Sequence, residues 1–239
     1  MFGILDRLYV RKKREITHED VEWTPQITTY DDSNESWYCF VPKIVMRNDR
    51  IKEGLLPKKG KVLAYTTSYI NLVTFSAVRT RDNLMAPYDD AMFRINEDLC
   101  QGRKLNFLSV SIGNVLSFRC AGNVPPGRVA NLVSIVGGSH LGYAAWDSVA
   151  TSRIAQNFGC KNVEEYEEIL NDFAPIKHCE NIDAERVYAR FGSSDLMIRY
   201  KPHGRKLESA LTSMKAIHKD IKTYLWADHS SAILRASRE

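Results

Sequence analysis

Apolar and β-branched residues cluster in the first half of the chain and fall at helical spacing in the second. Trp37 to Met46 is rich in aromatic and β-branched side chains and reads as a strand, with Pro42 marking an edge strand or a bulge. Val62 to Val78 reads as two strands or one long bent strand, with a buried helix as the alternative. A helix is expected around Asp90–Leu99. Lys104 to Ala121 reads as a hairpin: Leu108, Val110 and Ile112 alternate with Ser109 and Ser111, and Gly113-Asn114 supplies a two-residue turn. Asn123-Val-Pro-Pro-Gly127 is a turn, and Val129–Val136 is a further strand.

After Gly137-Gly138 the period lengthens. Ser139 can cap a helix running to about Phe158. Asn162, with Glu165 three positions on, opens another, whose apolar stripe ends before Pro175. Leu196–Tyr200 reads as a short strand. Leu207, Ala210, Leu211, Met214, Ile217, Ile221, Tyr224 and Leu225 follow helical spacing and predict one long terminal helix. The expected class is α+β: a β-rich N-terminal half forming an antiparallel sheet, packed with a helical C-terminal half. Residues 1–36 are expected to be a mobile arm, basic then acidic, and residues 37–239 a single compact domain.

The chain has 239 residues, 33 Lys+Arg against 29 Asp+Glu, and a net charge of +4. At this length a sizeable core can be buried. No apolar run approaches the roughly 18–20 residues of a membrane-spanning helix. The amino end has no secretory pattern, because Asp6 and Arg7 interrupt the apolar run and the basic cluster follows it. The five cysteines are widely spaced, with no C-x-x-C pair, so reduced thiols are expected and no disulfide framework. His178-Cys179 with Cys160 matches no zinc spacing, and neither metal nor cofactor is expected.

Charge is segregated. Residues 11–14 are Arg11, Lys12, Lys13 and Arg14, beside an apolar stretch of Phe2, Ile4, Leu5, Leu8 and Tyr9. Glu15 to Glu35 holds seven acidic residues and no Lys or Arg. Lys43 to Lys61 holds seven basic residues (Lys43, Arg47, Arg50, Lys52, Lys58, Lys59 and Lys61) against two acidic ones. Glu164 to Glu185 is acidic again, and Arg199 to Lys222 is basic. Patches of both signs permit head-to-tail self-association into a homo-oligomer, and the basic ones suit phosphate-bearing partners. Arg11–Arg14 next to an apolar stretch suits an anionic membrane surface or a nuclear import signal. Lys43–Lys61, interleaved with Trp37, Tyr38 and Phe40, suits phosphate neutralisation with stacking on single-stranded RNA.

Chemistry is harder to find. Gly137-Gly-Ser-His-Leu-Gly142 fails the G-x-S-x-G pattern of a nucleophile elbow, since Leu141 occupies the place of the second Gly. Pro126-Gly-Arg128 is a turn with one cation and no phosphate-binding loop. No residue emerges as catalytic, and the expectation is a protein that is not an enzyme.

The layout resembles viral matrix proteins, especially those of rhabdoviruses. The likeness rests on the short apolar terminus with Arg11-Lys-Lys-Arg14, the acidic linker containing Trp23 and Pro25, and the body beginning at Trp37–Arg47. The Pro-rich budding motif of many members is missing, since Pro125-Pro126 is followed by Gly127-Arg128. The resemblance implies a virion structural protein that binds nucleocapsid, inner membrane and itself, and that resides in the virion, at the host membrane periphery, or in host cytoplasm or nucleus. Arg11–Arg14 would then be the membrane or import element, and Lys43–Lys61 would face nucleocapsid. A virus movement protein that binds nucleic acid is the alternative reading, and a cellular enzyme of unrecognised type is the third.

Overall fold

A computed structural model of the chain describes residues 25–67, 73, 76–149, 151–152 and 160–239. The Arg11–Arg14 cluster, most of the expected arm and the later part of the helix expected after Ser139 lie outside the described residues. Among the described residues seven strands form one sheet: β1 (Gln26–Thr29), β2 (Glu35–Pro42), β3 (Lys61–Thr67), β4 (Lys104–Val110), β5 (Val129–Ile135), β6 (Ala184–Gly192) and β7 (Ala216–Tyr224). Their order is β1-β3-β2-β4-β5-β6-β7, and every pairing is parallel except β1 with β3.

The antiparallel, β-first expectation is therefore corrected to a mixed α/β architecture with a mostly parallel sheet. The reason lies in the connections. Parallel neighbours need a long crossover, so each strand from β2 onward is separated from the next by helix and loop rather than by a tight turn. Two strands, β6 and β7, lie in the half expected to be helical.

Seven helices concern the argument: α1 (Asp49–Leu55), α2 (Ala77–Cys100), α3 (Gly113–Gly122), α4 (Leu141–Asp147), α5 (Val163–Leu170), α6 (Arg205–Ser213) and α7 (His229–Ala236). They cover both sheet faces, which is why the central strands carry apolar residues on both sides. Tyr38, Phe40, Leu63, Tyr65, Leu105 and Phe107 point into a larger core with α2, α3, α5 and Leu207 and Leu211 of α6. Their sequence neighbours Cys39, Val41, Val62, Ala64, Leu108 and Val110 point the other way, into a smaller core closed by Ile51 and Leu55 of α1 and Ala232 and Ile233 of α7.

Several local expectations change. Pro42 ends a central strand instead of marking an edge, and it stands at the amino end of a helical turn, Lys43–Met46, where its missing N–H costs nothing. The expected hairpin at Lys104–Ala121 is strand β4 followed by helix α3. Ser139 caps no helix; His140 is the N-cap of α4, without a side-chain cap bond. Leu196–Tyr200 is not a strand. The long terminal helix is two elements, α6 and β7, separated at Met214. The residues that pack in α6 are Leu207 and Leu211, whereas Ile217, Ile221 and Thr223 belong to an extended segment paired with β6, as β-branched residues favour. Asn162 does cap α5, its Oδ1 accepting from Glu165 N at 2.9 Å.

Asp98 of α2 anchors the amino ends of β2 and β3. It is fully buried, accepts from the Tyr38 hydroxyl at 2.7 Å and pairs with Lys61 at 2.9 Å. No helix among the described residues is long and apolar enough to cross a membrane.

Candidate active site

Strand β4 delivers Ser111 into a sharp turn before α3. Ser111 has φ 57°, a left-handed backbone that a non-glycine residue rarely adopts without cause. Its N–H still donates to Ile135 O at 2.8 Å, as though the strand continued, and Asn114 N donates to Ser111 O at 3.1 Å. The chain thus passes from strand to helix across one strained residue. Gly113 permits this: a Cβ there would lie 2.0 Å from the carbonyl oxygen of Phe40 in β2. The segment reads Ser109-Val-Ser111-Ile-Gly113, the G-x-S-x-G spacing with serine in place of the first glycine.

The buried carboxamide of Asn114 holds the turn. Its Nδ2 donates to Ser111 O at 2.8 Å and to Ile135 O at 3.4 Å. Its Oδ1 accepts from the Ser134 hydroxyl and lies 3.1 Å from the Ser109 hydroxyl. One side chain therefore links β4, β5 and the first turn of α3. Asn114, read from sequence as half of a hairpin turn, is the clamp of this strand-to-helix turn.

Two further polar residues stand at the carboxyl ends of β6 and β7. Asp195, 4 % exposed, follows β6 by three residues. Its Oδ1 accepts from Met197 N at 2.8 Å and Ile198 N at 2.9 Å, and its Oδ2 lies 2.7 Å from Nδ1 of His229. His229 opens α7 and is buried; its Nε2 has no hydrogen-bond partner. The loops carrying the pair are laced together. Ser193 N donates to Tyr224 O at 3.1 Å, Ser194 N to Ala227 O at 3.0 Å, and Trp226 N to Ser193 Oγ at 2.9 Å. A Cβ on Gly192 would lie 2.6 Å from Ala227 O, so that crossing requires glycine. Ala227, Ala232 and Ile233 pack in the same small core as Val110, the residue before Ser111. Ser111, Asp195 and His229 thus occur in the chain order serine, acid, histidine, each past the carboxyl end of a strand.

Ser111 opens onto a cleft bounded by the turn before α3, by α4 and by the segment after β6. Ile112, Val115, Leu141, Ala144, Ala145, Met197 and Ile198 make its wall largely apolar. His140 is a polar group on that wall: its Nδ1 lies 2.8 Å from Ser139 Oγ, and burial holds the ring below the ordinary imidazole range. Helix α4 is tied down from behind by Glu167 of α5, whose Oε2 accepts from Tyr143 N at 3.0 Å. Burial pushes the Glu167 carboxyl up to about 7, and its Oε1 has no partner.

The basic residues singled out from sequence do not converge. Lys43 and Arg47 lie at the carboxyl end of β2, whereas Lys58, Lys59 and Lys61 lie at the amino end of β3, its parallel neighbour. Arg50 and Lys52 belong to α1 between them. Lys59 pairs with Glu35 at 3.4 Å and Lys61 with Asp98 at 2.9 Å. Cys39, Cys120 and Cys179 are buried free thiols, pushed up by desolvation. Among the described residues no group of three His, Cys, Asp or Glu is placed to hold a metal ion.

No protein-family profile matches the chain, and no curated protein matches it significantly in sequence. Solved structures do match in fold. A puromycin-hydrolyzing peptidase of Mycobacterium tuberculosis superposes with a TM-score of 0.62 at 12 % identity, over 93 % of this chain and 39 % of the peptidase. The chain therefore spans about two fifths of that peptidase's length. A phospholipase/carboxylesterase of Dyadobacter fermentans gives 0.58 at 10 % identity, over 92 % of this chain and 98 % of the other. A monoacylglycerol lipase of Paleococcus ferrophilus gives 0.51 at 14 % identity, over 86 % and 90 %. At such identities the likeness is one of fold.

The likeness overturns the resemblance to rhabdovirus matrix proteins, and with it the reading of a virion structural protein that is not an enzyme. The matrix reading rested on the order of charge blocks along the chain, which says nothing about how strands pair. The third reading, a cellular enzyme, is the one these structures favour.

Proposed function

We propose that the chain is a serine hydrolase acting on a carboxylic ester or amide with an apolar acyl group, with Ser111 as nucleophile, His229 as general base and Asp195 as its orienting acid. The observation that carries the reading is the combination of Ser111 at φ 57° with the Asp195–His229 pair 2.7 Å apart, past the ends of β4, β6 and β7 in the chain order such a triad requires. The fold shared with peptidases, an esterase and a lipase supports it.

The chemistry follows from the arrangement. Asp195 accepts the Nδ1–H of His229, which leaves Nε2 as the lone-pair nitrogen. Nε2 takes the Ser111 hydroxyl proton as Oγ attacks the substrate carbonyl carbon. The carbonyl π pair moves to oxygen, giving a tetrahedral oxyanion. The N–H of Ile112, at the amino end of α3, is the first donor for that oxygen, and the helix dipole acts in the same sense. Val73, after β3, lines the same cleft. Collapse of the intermediate expels the alkoxide or amine, which takes the proton from Nε2–H. Water then repeats the sequence on the acyl-Ser111 ester and releases the acid. The apolar wall accepts the acyl chain and keeps bulk water from it.

The test is labelling with a fluorophosphonate, followed by peptide mapping, alongside hydrolysis of p-nitrophenyl butyrate. The expected result is a single adduct on Ser111 and loss of hydrolysis in Ser111→Ala. Hydrolysis that survives Ser111→Ala at the wild-type rate would refute the assignment.

A further inference from the structure

The loops that carry Asp195 and His229 present an uncovered apolar surface. Leu225 is 71 % exposed, Trp226 88 % and Leu196 46 %. The two loops that bear them are laced together by backbone hydrogen bonds from Ser193 and Ser194 to Tyr224 and Ala227. Trp226 also has φ 59°, a conformation that a large side chain adopts only under constraint, and its N–H is held by Ser193 Oγ. The fold thus keeps an indole in solvent at the cost of backbone strain. Leu196 directly precedes Met197 and Ile198, which line the cleft at Ser111.

The segment after Leu196 is charged with one sign, while on the other loop the exposed carboxylate of Asp228 is engaged in capping α7. Arg199, Lys201, Arg205 and Lys206 are exposed, none belongs to an ion pair among the described residues, and no Asp or Glu lies between Leu196 and Leu207. Exposed Trp and Leu beside unpaired Lys and Arg are the two components that hold a protein at an anionic lipid surface: the apolar groups enter the headgroup boundary and the cations meet lipid phosphates.

We infer that Leu196, Leu225 and Trp226, with Arg199, Lys201, Arg205 and Lys206, form a docking surface for an anionic lipid bilayer, seated at the mouth of the cleft. Docking there sets the apolar cleft facing the lipid, so that the acyl substrate enters from the bilayer. The purpose of the surface rests on the serine-hydrolase reading; the binding itself does not.

The experiment uses the full chain with phosphatidylcholine vesicles, with and without about 30 % phosphatidylglycerol, reading co-sedimentation and tryptophan emission. Four proteins are compared: wild type, the double variant Leu225→Ser/Trp226→Asn, a quadruple variant with Arg199, Lys201, Arg205 and Lys206 changed to Gln, and one with Arg11 to Arg14 changed to Ala. Asn at 226 tolerates the left-handed backbone, so the loop keeps its path. Expected are binding to the anionic vesicles with a blue shift, a loss of about tenfold or more in both rim variants, and hydrolysis of water-soluble p-nitrophenyl acetate within about twofold of wild type in the double variant. No binding by wild type, equal binding to neutral vesicles, undiminished binding by the double variant, or a loss confined to the Arg11–Arg14 variant would each overturn the proposal. Acetate hydrolysis reports on Ser111 separately, so failure of the surface is distinguishable from failure of the hydrolase reading.

Discussion

Asp195 and His229 are 34 residues apart in the chain and 2.7 Å apart in space. Nothing local brings them together. The parallel pairing of β6 with β7 sets the two strand ends side by side, and the laced loops beyond them set the side chains face to face. The pair is thus a product of the parallel topology, which an antiparallel arrangement of the same strands would have separated.

Asp195→Asn should keep the loop, since an amide oxygen can still accept from Met197 N and Ile198 N, but it presents His229 with the wrong hydrogen-bond partner. The expected effect is a fall in kcat of about 10²–10⁴-fold with KM little changed. Steady-state kinetics on a soluble p-nitrophenyl ester measure it; a loss confined to KM would remove Asp195 from the proton-handling role.

Gly113→Ala places a methyl group 2.0 Å from Phe40 O, against backbone that cannot move aside. A destabilisation of about 2–4 kcal/mol is expected in urea unfolding, with loss of fluorophosphonate labelling in whatever remains folded. A stability within about 0.5 kcal/mol of wild type would show that β2 and the elbow are less closely opposed than described.

Glu167 makes stability depend on pH. Its carboxyl is raised from 4.5 to about 7 in the folded protein, chiefly by burial. Below about pH 4.5 the group is protonated whether the chain is folded or not. Between 4.5 and 7 the unfolded chain gives up the proton and the folded one keeps it, so the folded state loses ground as pH rises, until the difference levels off above 7. The contribution is about 2–3 kcal/mol less stability at pH 8 than at pH 4.5. Glu167→Gln keeps the oxygen that accepts from Tyr143 N and removes the titration. The variant should gain on wild type as pH is raised from 5 to 8; parallel stability curves for the two would contradict this account.

Ala144→Phe fills part of the cleft wall. Activity toward a p-nitrophenyl octanoate should fall by about 10–100-fold in kcat/KM while the acetate ester changes by less than about threefold. An equal fall on both esters would mean that the cleft does not hold the acyl chain.

How much of this was legible in the sequence depends on the element. The central strands were visible because their aromatic and β-branched runs are continuous, as in Trp37–Val41 and Val129–Ile135. Their direction was not, since a parallel and an antiparallel strand buried on both faces have the same composition. The α6–β7 segment misled because Leu207, Leu211, Ile217 and Ile221 fit a helical stripe by coincidence of spacing, while the change from Leu to β-branched residues after Met214 carried the opposite signal. The elbow was hidden for a specific reason. Gly113-Asn114 is a good hairpin turn in isolation, and Ser109 stands where the motif has glycine. Search for a small residue, any residue, Ser, any residue, Gly directly after an apolar strand would have found Ser109-Val-Ser111-Ile-Gly113. Asp195 and His229 carried no such mark, because each gains meaning only from its place after a strand of the sheet.

The Asn114 clamp has a consequence for how Ser111 responds to acidity. Every hydrogen-bonding position of its carboxamide is engaged, and the groups it engages are two peptide carbonyls and two serine hydroxyls. None of these gains or loses a proton in the range where proteins operate. The posture that Asn114 imposes on Ser111 is therefore indifferent to acidity.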